Sequence, residues 1–166
     1  MPTKAVVSEE EYLRTSYSGV DREFRDGEVL ERSVPNFFHG ELQLALAGFF
    51  RPFRKSKNLH PTVETRIRLR PGHYAIPDVS VFWPNRPATG IPKEMPLIAI
   101  EILFPDDRMS EVVAKLSEYR ERGVPHVWLA DPERGAFYVY SDGLHQVDSI
   151  RIPEVDLEFR FANLLD

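Results

Sequence analysis

PLIAIEIL, residues 96–103, is the stretch on which the fold turns. Apart from Glu101 it is apolar at every position after its opening proline. A half-exposed strand alternates apolar and polar residues, whereas this run is apolar on both faces and reads as a central strand covered on both sides. It is far too short to cross a bilayer. Glu101 is then a carboxylate where carboxylates are expensive: unpaired and ionised in a central strand, it would cost several kcal/mol. A metal ion, a cationic side chain or protonation has to compensate, and a structural ion pair is the plainest of these.

Upstream, PDVSVFW at residues 77–83 reads as a neighbouring strand with Asp78 at its head. After Pro77, Asp78 is readable as a turn or cap residue. Paired with Glu101 on the next strand, it is readable as half of an all-oxygen site. The chain has no cysteine and no histidine pair at ligand spacing, so such a site suits Mg²⁺ or Mn²⁺ rather than zinc.

Downstream, Asp106 or Asp107 is placed to cap a helix running to Arg122, ended by Gly123 and Pro125. Val112, Val113, Leu116 and Tyr119 form its apolar stripe. Lys115 lies at the edge of that stripe, roughly 60° from Val112 at 100° per residue. It is placed either to snorkel into water or to reach back toward the Glu101 strand.

The other elements are expected as follows. A capping box, Ser8 to Glu11, opens a short helix to residue 16. Residues 21–32 form a hairpin around Asp26-Gly27. Residues 37–50 form a helix with Leu42, Ala45, Leu46 and Phe49 on one face, stopped by Pro52. Residues 62–69 alternate as one strand, Val63, Thr65, Ile67 and Leu69 against Glu64, Arg66, Arg68 and Arg70. Residues 84–95 are a long connection. VWLAD-PERG-AFYVY makes a hairpin, with strands at 144–147 and 157–161 beyond it. This order implies an α/β (α+β) fold: a mixed central sheet flanked by helices, in a single domain over residues 1–166.

The bulk numbers narrow the function. With 42% hydrophobic and 28% charged residues, the composition is globular. Without cysteine, disulfide scaffolds, thiol catalysis and iron–sulfur sites are excluded. The opening MPTKAVVSEEEYLRTS has no apolar stretch before its acidic run, so no secretory leader and a cytoplasmic, non-membrane protein are expected. The net charge is −5, yet residues 51–70 carry seven Lys/Arg against Glu64 alone. That window is either a solvated face or a groove for a polyanion, with Arg66 and Arg68 projecting from one strand face. Phosphodiester hydrolysis needs this combination of acids, metal, lysine and a polyanion surface. A small-molecule hydrolase built on His39 lacks any nucleophile elbow or paired histidine.

The pattern as a whole resembles the broad bacterial family of endonucleases in the restriction-endonuclease-like, PD-(D/E)xK superfamily. The residues that carry the likeness are Pro77-Asp78, Glu101 in its apolar strand, Lys115 on the next helix 14 residues later, GVPHVWLADPE at 123–133, and REFRDGEVLE at 22–31. The resemblance implies a nucleic-acid hydrolase acting on DNA in preference to RNA, with Asp78 and Glu101 holding Mg²⁺ or Mn²⁺. Lys115 would replace the lysine usually found where Leu103 stands, and Glu23 and His39 would be accessory groups. A homodimer is expected by the same analogy. Two positions depart from the family pattern: Phe104 replaces a serine before Pro105, and Glu111 an aspartate. The alternative function is a catalytically inactive nuclease-like fold serving as a binding or regulatory module.

Overall fold

A computed structural model of the chain describes residues 5–164. Helix α1 (Glu9–Arg14) leads into the hairpin of β1 (Glu23–Arg25) and β2 (Glu28–Leu30), then α2 (Phe37–Phe50) and the single turn α3 (Arg54–Lys57). Strands β3 (His60–Val63), β4 (Ile67–Arg70), β5 (His73–Ala75), β6 (Val79–Phe82) and β7 (Ile98–Ile102) precede α4 (Met109–Glu121). Strands β8 (His126–Asp131), β9 (Ala136–Tyr140), β10 (Leu144–Gln146), β11 (Ser149–Ile152) and β12 (Leu157–Arg160) follow.

The main sheet has the order β10-β9-β8-β7-β6-β3. Its strand β7 runs antiparallel to β6 and parallel to β8, so the sheet is mixed and α4 is the crossover between its parallel pair. Every residue of β7 is buried, as a central strand requires. Its side chains divide by period two. Ile98, Ile100 and Ile102 join Leu42, Leu46 and Phe50 of α2, with Trp128, Phe137 and Phe159, in an aromatic core closed by the β11–β12 hairpin. Ala99 and Leu103 point the other way, toward Leu116 and Tyr119 of α4. The small sheet β2-β1-β5-β4 brings Ile67, Leu69 and Ala75 to that second core.

The expected hairpin at 21–32 forms, its turn made by Asp26 and Gly27 at φ 49° and 90°. Three expectations need correction. Among the described residues the strands form three sheets rather than one. The strand expected over residues 62–69 is broken at Glu64, whose φ of 52° turns the chain from the main sheet into the small one. Val63 is consequently 45% exposed while Ile67 is fully buried, so the alternation belonged to two strands. Finally, α4 is capped by neither Asp106 nor Asp107: it starts after Arg108, and Asp107 Oδ2 instead accepts from the Phe104 N–H at 2.8 Å. Among the described residues no helix is long and apolar enough to cross a membrane.

Candidate active site

Asp78 directly precedes β6, whose Val79 pairs with Ile100. Continuing that antiparallel register by one step sets Asp78 opposite Glu101, and opposed residues project to the same face. Both are buried, at 5% and 8% exposure. Asp78 Oδ2 accepts the Ile102 N–H at 2.7 Å, which fixes the carboxylate against the end of β7. The face they share is that of α4, and from it Lys115 reaches in. Its ammonium lies 3.0 Å from Glu101 Oε1 and 2.7 Å from Glu23 Oε1. Glu23 arrives from β1, and its Oε1 also accepts the Ile76 N–H at 2.9 Å. His39, in the first turn of α2, places Nε2 3.2 Å from Asp78 Oδ1. The five residues anticipated for the centre therefore converge on one cleft of about 580 Å³.

Sequence reasoning missed several members of the cluster. Tyr119, read there as core stripe, donates its hydroxyl to Glu101 Oε1 at 2.6 Å. A buried tyrosine usually needs such a partner, which is the signal that was available. Arg32 donates to Glu64 Oε2 at 2.6 Å and lies 3.5 Å from Asp78 Oδ1. Gln43 bridges Glu64 Oε1 and the Asp78 carbonyl, each at 2.9 Å. The left-handed turn at Glu64 thus aims its carboxylate at the groups that hold the backbone of Asp78. At the cleft mouth Arg108 is exposed and, among the described residues, has no ion-pair partner.

Negative charge dominates the cluster: Glu23, Glu64, Asp78 and Glu101 face two permanent cations, Arg32 and Lys115. Burial pushes the Glu101 carboxyl up to about 8; Lys115 pulls it down, and Asp78 and Glu23 push it further up. For Asp78, burial acts upward too, but His39, Lys115 and the Ile102 N–H outweigh it and hold the carboxyl below its ordinary value. Burial alone would depress Lys115; Glu101 and Glu23 raise it, so it stays an ammonium.

Among the described residues no three His, Asp or Glu side chains converge as a ready-made metal cage. The donor set nonetheless fits a magnesium-like ion, which keeps several waters and commonly takes only one or two protein carboxylates. Burial is the main cause of the raised Glu101, with Asp78 and Glu23 adding to it against Lys115, so a cation bound beside it would favour its ionised form.

Arg66 and Arg68 lie elsewhere. Arg66 pairs with Asp21 at 3.4 Å and packs its guanidinium over the Tyr12 ring, 4.7 Å from the centroid. Arg68 pairs with Glu9 at 3.2 Å. Neither lines the cleft.

The sequence profile of the Uma2 family, described as "Putative restriction endonuclease", matches residues 9–160. The chain belongs to the Uma2 family. Its fold is also that of a crystal structure from Anabaena variabilis ATCC 29413 described as "a putative nuclease belonging to DUF820". The two share 21% sequence identity with a TM-score of 0.81, covering 94% of this chain and 96% of that one. No curated protein matches the chain. Membership of Uma2 and this structural likeness agree with the restriction-endonuclease-like fold expected from Pro77-Asp78, Glu101 and Lys115. Both departures of this Uma2 chain from the family pattern fall on the cleft wall. Phe104 stacks on the His39 ring with centroids 4.6 Å apart, and Glu111 stands exposed at the start of α4.

Proposed function

We propose that the chain is a divalent-metal-dependent endonuclease that hydrolyses phosphodiester bonds of nucleic acid, DNA in preference to RNA. The observation that carries this reading is Lys115, whose ammonium is drawn to Glu101 and Glu23 beside Asp78 at the cleft floor. A half-buried cation beside two buried acids is what a reaction developing charge on phosphate oxygens needs.

Asp78 and Glu101 would hold Mg²⁺ or Mn²⁺. Such an ion, when bound, supplies neutralisation of phosphate charge and a more acidic water. Water adds to phosphorus, one P–O ester bond breaks, and the departing oxygen takes up a proton. Lys115 stabilises the charge on the phosphoryl oxygens, and Glu23 keeps its ammonium aimed. His39 steadies Asp78, and Tyr119 orients Glu101. Arg108 is free to take a flanking phosphate. Arg66 and Arg68 would contribute to polyanion binding only by giving up Asp21 and Glu9. We further propose one domain over residues 1–166, acting in the cytoplasm as a homodimer.

One observation favours the inactive-module reading: Glu101 Oε1 already receives both Lys115 and Tyr119. Cleavage of DNA with and without Mg²⁺ or Mn²⁺, in the native protein and in Lys115→Ala, decides between them. The nuclease reading expects metal-dependent cleavage that Lys115→Ala lowers by about 10²–10³-fold with the fold intact. Absence of cleavage at every metal concentration, with Lys115→Ala losing several kcal/mol of stability, supports the module instead.

A further inference from the structure

Beside the cleft lies a second cavity of about 740 Å³. The two share His39, Phe104, Asp107 and Leu129 as a common wall, so their contents would be neighbours. The second cavity differs in chemistry. Phe38, Met109 and Tyr138 line it, and Phe104 presents a ring already face-stacked on His39 at 4.6 Å. Phe38 is 65% exposed, although it sits at the start of a well-formed helix whose other face fills the core. Like the cleft, the cavity is lined by more acids than bases, Asp107, Asp131 and Glu133 against Arg134, but its lining holds no counterpart of Lys115 or of the paired acids Asp78 and Glu101. Such a rim repels phosphate but accepts hydrogen bonds from the exocyclic amino groups of bases. Among the described residues His39 Nδ1, buried in the shared wall, has no hydrogen-bond partner.

We infer that this cavity is a subsite for one unpaired nucleobase next to the scissile phosphate, so that the substrate is single-stranded or locally unpaired nucleic acid. The inference rests on the nuclease reading above and adds its substrate class. A base within a duplex is stacked and paired, and cannot enter a pocket beside the cleft unless it leaves the stack. Once unpaired, it meets aromatic faces without regard to its identity, the way single strands are generally held. The acidic rim admits the base while the phosphate stays on the side of Lys115 and Arg108.

The test is cleavage by the full chain, with Mg²⁺, of single-stranded DNA oligonucleotides of one sequence, each carrying an abasic residue at a different position. The subsite predicts that an abasic residue at one position adjoining the cut lowers kcat/KM about tenfold or more, as loss of one base–aromatic stack does, and that other positions matter little. Phe38→Ala, at an exposed position where truncation spares the core, cuts the intact strand about tenfold more slowly and no longer senses that abasic position. Phe104→Leu shifts activity in the same direction. The strand in a perfect duplex is cut more slowly than alone, and a mismatch at the sensitive position restores the rate. Cleavage that is indifferent to abasic position and equally fast on duplex overturns the subsite while leaving the nuclease standing. A Phe38→Ala variant whose only change is in sedimentation mass also overturns it, assigning the pocket to contacts between copies. No cleavage of any strand with any divalent metal removes the subsite together with the nuclease reading.

Discussion

Strand β7 belongs to two regions that differ in almost every respect. On the α2 side its isoleucines enter a dry core in which Trp128 and Phe159 stack at 5.4 Å and Phe137 meets Trp128 edge-on at 5.5 Å. On the α4 side the same strand presents Glu101 to a lysine, a tyrosine and two further acids. The first region is held by apolar area and ring packing, which depend little on pH or ions. The second is a cluster of opposed charges whose net contribution to stability is small or unfavourable. Stability is concentrated on one face of β7, and that rigidity allows the other face to keep an electrostatically strained arrangement in place.

The contrast predicts its largest effect on the dry side. Trp128→Ala should lower unfolding free energy by about 3–5 kcal/mol, measured by chemical denaturation. A loss below about 1 kcal/mol would show that the aromatic core does not carry the fold. Lys115→Ala should reverse the pattern. Turnover in a metal-dependent cleavage assay falls by about 10²–10³-fold, the usual loss when one charge-stabilising donor is removed, while thermal stability changes little. Lys115→Arg should rescue poorly, because a planar guanidinium does not replace a compact ammonium. Full rescue by arginine would reduce Lys115 to a generic positive charge.

How much of this was legible in the sequence differs between the same two regions. The central strand, the α4 helix and the Asp26-Gly27 hairpin rest on local periodicity and turn chemistry, and so could be read from neighbouring residues. The convergence of Asp78, Glu101 and Lys115 was legible because a carboxylate inside LIAIEIL demands a partner. The break at Glu64 was not. Glutamate seldom adopts a left-handed backbone, and what surrounds it here is tertiary: Arg32 and Gln43 hold its carboxylate from 32 and 21 residues away. Arg66 and Arg68 looked like a polyanion stripe because their partners, Asp21 and Glu9, lie far off in sequence. The cap of α4 escaped because Asp107 turns back to Phe104 rather than onto the helix.

A smaller effect is expected from pH. The Glu101 carboxyl is raised from 4.5 to about 8 in the folded chain, so between those values the folded state binds the extra proton. Its stabilising contribution is complete below about pH 4.5 and is lost as pH rises to about 8. Asp78 is lowered below 3.8 and acts oppositely, its contribution being lost only as pH falls beneath that value. Metal-free protein should therefore lose melting temperature between about pH 4.5 and 8, and Glu101→Gln should flatten the decline. A decline of equal slope in that variant would assign it to another group.

The smallest effect concerns Arg66 and Arg68. Replacing both with alanine should leave cleavage intact and reduce the salt dependence of DNA binding by no more than about two counterions' worth of slope. An unchanged slope would leave them as structural partners of Asp21 and Glu9 alone.

The central claim is that the α4 side of β7 is built for a divalent ion, and isothermal calorimetry with Mg²⁺ and Mn²⁺ tests it most directly. Native protein and Lys115→Ala should bind one ion with comparable affinity, because the lysine is not a ligand. Glu101→Gln should bind none while keeping its fold and gaining stability without metal, as expected when repulsion among buried carboxylates is relieved. Absence of binding in the native protein, or a Glu101→Gln variant that loses several kcal/mol and unfolds, would contradict the account and leave Glu101 as half of a structural ion pair.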